Sequence, residues 1–269
     1  MDPKNPGVVD EIIHLGDFWN EAGMIKHRQE VMKVNREVGS IFARAYRYLK
    51  AAWQIYDDSA VLYGMAIDEA KINILAKEFM DGLLGEIPVS AVVGKQRCLF
   101  ASAITPDGLK NYLGDLLITN NIYMLEGFPG AGTERVLEKI KSAVLERGMG
   151  VEAYYCALCP DKLEHLIIPQ MNTAFTTNNK YHSTDVCAAK KVEFSNMLDE
   201  KVAGLHKSEL EYNQAEFDVL LNRAIDIIHG AKTLHDEMET YYIPNMDFKA
   251  IQKKWSETME KILAYAGES

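Results

Sequence analysis

The chain reads as α/β, with a parallel sheet in one stretch and long amphipathic helices whose pattern occurs twice. Three observations predict this. Residues 122–147 (IYMLEGFPGAGTERVLEKIKSAVLER) pass from a short apolar run through a glycine-rich turn into a helical stripe. Two long segments, residues 24–58 and 198–242, place apolar side chains at steps of three and four. Residues 1–84 align without a gap on residues 180–263.

In the first of these stretches, Ile122, Tyr123, Met124 and Leu125 form the apolar run, and Val136, Leu137, Ile140, Ala143 and Val144 share one helical face. Strand, glycine loop and helix are the local plan of a phosphate-binding P-loop. Gly127, Gly130 and Gly132 sit where that motif lets backbone N–H groups converge on an anion. The candidate phosphate loop is therefore Gly127, Pro129, Gly130, Ala131, Gly132, Thr133 and Glu134. Thr133 stands where the motif needs lysine, and Glu134 where it needs the Ser or Thr that holds magnesium. Backbone donors and a helix N-terminus remain, but the cation that offsets charge in phosphoryl transfer is missing. Loss of one such electrostatic group costs about 10²–10³ in rate. Glu134 suits the helix dipole by roughly 0.3–1 kcal/mol and is itself a candidate occupant of the anion site.

The remaining elements follow in order. The first long stripe runs Val31, Val34, Val38, Ile41, Ala45, Tyr48, Ala52 and Ile55, with a break at Gly64. Asp68 is positioned to cap a second helix through Leu84. Residues 85–96 read as a linker, and residues 97–104 as a strand. Thr105-Pro106-Asp107-Gly108 predicts the start of a helix reaching about Leu117, since proline suits a first turn. Residues 151–157, 165–168 and 172–177 are strand candidates. The handedness rule makes the unit from Ile122 to Ala157 a parallel βαβ. A final helix is expected over residues 247–265.

In the repeat, residue 1 meets residue 180, so Arg44-Ala45 meets Arg223-Ala224, His27 meets His206, and Asp68 meets Asp247. Roughly one aligned position in six is identical, and the shared break and shared capping Asp favour duplication over chance helical register. On this reading residues 1–88 are the helical tail of a first repeat, and residues 89–269 are a degenerate P-loop domain with its own C-terminal helices.

Composition narrows the function. The chain has 269 residues and a net charge of −10, which argues against a nucleic-acid-binding surface. No apolar run reaches the roughly 18 residues of a membrane helix. The start, MDPKNPGVVDE, lacks the pattern of a signal peptide. Four cysteines are too few for a disulfide framework, so a reduced cytoplasmic setting is expected.

Several accessory residues have two readings each. Arg135 and Lys191 are candidate substitutes for the missing lysine. Asp161 is the one reasonable acid for magnesium, or a turn cap after Pro160. His182 is a ligand contact or a capping histidine. Arg44 and Arg223 point at a phosphate or make helix-flank salt bridges. Cys156-x-x-Cys159 has the spacing of zinc and redox sites, with Cys187, His165 and His182 as further ligands, but Cys156 lies in an apolar strand and buried free thiols are favoured. No metal site and no catalytic residue are assigned.

The segments RCLFASAITPDG, GFPGAGTE and VEAYYCALCPDKLEHLIIP, with the opening DPKNPGVVDEIIHLGDFW and RAYRYLKAA, resemble a largely uncharacterised family of bacterial P-loop ATPase-like proteins built from two tandem copies. The resemblance covers nearly the whole chain. It implies a front P-loop domain preceding Met1 and a second loop of the form GxPGTGKS, from which Ala131, Thr133 and Glu134 depart. The expected function is an NTPase-like protein with a degenerate nucleotide site and weak or absent hydrolysis, regulatory or structural in role. ATP or another nucleotide and Mg²⁺ are its possible cofactors, and a homo-oligomer or contact with the front P-loop half is its expected partnership. The alternatives are a helical protein-interaction module and a small-molecule kinase with an unorthodox cation.

Overall fold

The computed structural model describes residues 5–8 and 10–267. Residues 1–4 and Val9, from the irregular start, lie outside the described residues. Its elements in chain order are α1 (Glu21–Ile25), α2 (Arg28–Gly64), α3 (Glu69–Leu84), β1 (Gln96–Phe100), β2 (Ser102–Thr105), β3 (Gly108–Asn111), α4 (Leu113–Leu116) and β4 (Asn121–Glu126). These are followed by α5 (Thr133–Glu146), β5 (Val151–Tyr155), β6 (Leu163–Ile168), β7 (Thr173–Asn178), β8 (Lys190–Glu193), α6 (Glu200–Leu205), α7 (Lys207–Tyr242) and α8 (Phe248–Gly267). No helix is long and apolar enough to cross a membrane among the described residues.

Contacts divide the chain into two units. One comprises residues 43–229, and the other residues 1–42 with 230–269. The larger unit holds a six-stranded sheet in the order β1-β5-β6-β7-β4-β8. All pairings are parallel except those of β6, which runs against both neighbours. The fold is thus α/β with a mostly parallel sheet and long helices. β4 and β5 point the same way across α5, as the sequence predicts, but β7 and β6 lie between them in the sheet.

Alternation places neighbouring residues of a strand on opposite faces. Leu166, Ile168 and Phe175 join Leu137, Ile140 and Val144 of α5 and Ile72, Leu75 and Phe79 of α3 in one core. Ile167 and Ala174 face the other way, onto Leu113, Leu117 and Tyr154. Leu137, Ile140 and Val144 are fully buried, worth about 1.5–3 kcal/mol each. Phe79, Tyr123 and Phe175 pack their rings together, with Tyr123 stacked on Phe175 at 4.8 Å between centroids.

Several elements differ from their expectations: the strand expected over residues 97–104 is split between β1 and β2, which belong to different sheets, and the helix expected over residues 198–242 is broken between α6 and α7. Thr105-Pro106-Asp107-Gly108 is the turn of the β2–β3 hairpin, not the start of a helix. Proline at the second position of a β-turn is as favourable as proline in a first helical turn. What decides is Gly108 at φ +100°, which leaves the helical region. Thr105 fixes the turn, its hydroxyl accepting from Asp107 N and donating to Gly108 O.

The repeat is visible in the elements themselves. The 3₁₀ turn Leu15–Phe18 corresponds to Phe194–Met197, α1 to α6, α2 to α7 and α3 to α8, all at the offset that sets residue 1 on residue 180. Asp68 caps α3 through Ala70 N and Lys71 N, and Asp247 caps α8 through Lys249 N and Ala250 N. Each unit contains one junction made from the front of one copy and the back of the other. In the larger unit Asp68 N donates to Met197 O and Asp199 N to Ala66 O. In the smaller unit, by the same offset, Asp247 N donates to Phe18 O and Asn20 N to Asn245 O. The two copies therefore differ in what their last helix covers. α3 buries Ile72, Leu75, Ala76, Phe79 and Leu84, whereas α8 buries nothing, and Trp255, Ile262 and Leu263 are exposed.

Candidate functional site

β4 delivers the glycine loop to the carboxyl edge of the sheet, where open α/β folds bind ligands. Gly127 N donates to Asn178 O at the end of β7, which anchors the loop's first residue. Gly130 and Gly132 take left-handed φ values of +74° and +89°, the conformation the glycines were expected to supply. Gly132 is the N-cap of α5 and offers no side chain, so the first turn of the helix opens directly from the loop.

The loop is packed rather than open. Ala131, Gly132 and Thr133 are buried, while Gly127, Pro129, Gly130 and Glu134 are half-buried. A Cβ on Gly130 would stand 2.2 Å from the carbonyl oxygen of Ala60, so the backbone of α2 lies against the loop. The Tyr63 ring meets Phe128 at 4.4 Å between centroids. Arg135 folds back over Gly132, pairs with Glu69 at the start of α3, and has Nε 3.7 Å from Glu134 Oε1. The end of α2 and the start of α3 thus close over the loop from the helical side.

The accessory residues are dispersed. Lys191 Nζ lies 3.6 Å from Glu126 Oε1 on the neighbouring strand. Arg44 and Arg223 both hydrogen-bond Tyr48, whose phenol they hold below its ordinary pKa. Asp161 is exposed in the β5–β6 turn, which Lys162 N closes onto Cys159 O. β7, the neighbour of β4, ends in Thr176, Thr177 and Asn178 without an acid, and Thr177 Oγ1 is buried with no partner.

His182 belongs to a second constellation with Cys156, both named among the candidate zinc ligands, to which the structure adds Lys162, Glu164 and Tyr56. Lys162 closes the β5–β6 turn and Glu164 lies at the start of β6, where the pairing with β5 shifts register, and there they meet Tyr56 and His182. Lys162 Nζ contacts Glu164 Oε1 and Tyr56 Oη, each at 2.8 Å. His182 Nε2 lies 3.7 Å from the same Glu164 oxygen. Glu164 is 1% exposed and His182 7%. Burial pushes the Tyr56 phenol up to about 12. Burial alone would lower the Lys162 pKa, but the Glu164 carboxylate and Tyr56 outweigh it and raise it. Burial, then Glu164, raises the Cys156 thiol, and burial keeps His182 neutral against the pull of Glu164. His165 Nδ1 is 2.8 Å from Thr176 Oγ1, within hydrogen-bond distance. An apolar cavity of about 40 Å³, lined in part by Trp53, Tyr56, Cys156, Tyr181, His182 and Phe217, borders this cluster. It admits a few waters and no organic ligand.

No protein-family model, curated protein or solved structure matches the chain. The sequence signal for the buried cluster is Glu164 inside the buried strand β6, with Lys162 just before it. Tyr56 follows Ile55, the last residue of the first long stripe, and carries no local mark of this role.

Proposed function

We propose that this is a P-loop NTPase-like protein whose glycine loop serves packing rather than phosphoryl transfer. ATP and magnesium are its ancestral ligands, and its present role is regulatory or structural. The observation that carries the reading is the Arg135–Glu69 ion pair over Gly132. Arg135, the cation that lies over Gly132, is already paired, and Thr133 and Glu134 supply neither the lysine nor the magnesium hydroxyl. The loop thereby ties the α2–α3 corner to the sheet. Calorimetry with MgATP, together with a phosphate-release assay, tests this. Neither binding heat nor turnover is expected, and robust hydrolysis by the unaltered chain would overturn it.

A second reading, a helical interaction module, is favoured by α8. Its Trp255, Ile262 and Leu263 are exposed where the matching helix α3 is buried. Self-association through that helix is the expected form, and light scattering at increasing concentration checks it. A mass fixed at one chain would remove this reading without affecting the first.

A further inference from the structure

We propose that Cys156, Glu164 and His182 form a mononuclear site for a divalent ion of the zinc class, with one coordination position open to the adjoining cavity. The inference stands apart from the glycine loop. One Sγ, one carboxylate oxygen and one imidazole nitrogen from these three buried residues all lie within 4.8 Å of one another. Sulfur, nitrogen and oxygen donors together are the mixture zinc accepts.

Two further observations point to a missing partner at this place. Glu164 Oε2 and His182 Nδ1 are buried polar atoms with no hydrogen-bond partner. Such atoms are rare, because each carries its full desolvation cost. Glu164 already uses Oε1 for Lys162, so Oε2 is the free oxygen, and ligation need not break the ion pair. Ligand atoms about 2.0–2.3 Å from a tetrahedral zinc stand roughly 3.3–3.8 Å from one another. Closure therefore draws the three ligand atoms together from their spacing of within 4.8 Å. The ion displaces the Cys156 thiol proton, which leaves to solvent, and the thiolate takes its place as ligand. Three protein ligands leave a fourth position, and Cys156 and His182 both line the small cavity from which water would fill it.

The arrangement also separates this site from its neighbours. Cys159 is half-buried in the β5–β6 turn and is not part of the cluster, so the C-x-x-C spacing does not define the ligands. His235, Asp236 and Glu239 form an exposed group on α7 that offers no thiolate.

The full chain, stripped with a chelator under reducing conditions, is titrated with Co²⁺ alone and followed by absorption, and Zn²⁺ is then used to displace it. One ion per chain with a thiolate-to-cobalt charge-transfer band is expected. Cys156→Ser should abolish the band, and Glu164→Gln should weaken binding at least tenfold. Cys159→Ser and His235→Asn should leave both unchanged. If Cys156→Ser does not fold, the decision passes to the unaltered protein, where Zn²⁺ should raise the unfolding temperature in proportion to its binding. Absence of the cobalt band in the unaltered chain overturns the proposal. So does a band that survives Cys156→Ser, or binding lost in His235→Asn alone.

Discussion

Gly130 and Ala60 are in such close approach that a single added methyl on the glycine would penetrate the carbonyl of the alanine, at 2.2 Å. The glycine is needed twice over, for this contact and for its φ of +74°. Gly130→Ala should therefore cost about 2–5 kcal/mol, from a left-handed non-glycine residue and an overpacked contact together. Gly127→Ala meets only the Thr133 methyl and Ala131 Cβ and should cost less. Urea unfolding of the two variants gives the comparison, and equal midpoints would mean that α2 does not rest on the loop.

Releasing Arg135 should reopen the anion site. The pair with Glu69 is largely exposed, so Glu69→Gln should change stability by no more than about 1 kcal/mol. Combined with Glu134→Gln, it leaves the guanidinium free beside the first turn of α5. Affinity for inorganic phosphate should then rise about tenfold, the worth of one charge-assisted hydrogen bond. Titration calorimetry reads the change directly.

The Lys162–Glu164 pair should behave as a buried ion pair does. Lys162→Met strands a carboxylate that is 1% exposed and should destabilise by about 3–5 kcal/mol. Adding Glu164→Leu should restore most of that loss, because two apolar side chains need no desolvation. Chemical denaturation of the single and double variants in metal-free buffer distinguishes this from a merely additive effect.

Asp218 links α7 to the turn that carries His182. It accepts from Lys180 Nζ at 2.5 Å, Tyr181 Oη at 3.0 Å and Gln214 Nε2 at 3.1 Å. Partial burial raises its pKa, but these three hydrogen bonds outweigh burial and hold it below the ordinary 3.8. The folded state thus binds its proton less readily than the unfolded chain does. Its contribution is present above about pH 4 and disappears as pH falls through the lowered folded value. Since Lys180 is mostly exposed, Asp218→Asn should cost about 1 kcal/mol or less at pH 7. The gap between variant and unaltered protein should narrow in acid, which denaturation at pH 7 and pH 3 measures.

Much of the architecture was legible because local chemistry dictates it. Asp68 and Asp247 announce their helices as side chains that accept from the second and third backbone N–H groups. Gly130 and Gly132 announce the loop because only glycine takes their φ without strain. The 105–108 turn resembles a helix start because proline opens turns and helices alike, and Gly108 decides between them. The placement of antiparallel β6 between β5 and β7 has no local signature: all six of its residues are buried, Glu164 and His165 among them, and the run LEHLII does not encode a strand direction. The rest of the buried cluster is hidden for a related reason. Lys162 and Glu164 gain Tyr56, from a helix far away in sequence, only through the fold.

The crossed junctions set an order on synthesis. Ala66 finds Asp199 well before Asn20 can find Asn245, because the second partner is made later. At about 5–20 residues per second on the ribosome, Asn20 waits roughly ten to forty-five seconds for its acceptor. During that interval Asn20 lacks its acceptor, and Trp19 lacks the Tyr242 ring that it meets edge to face. A chain cut short before Met246 would leave those early residues permanently unclaimed.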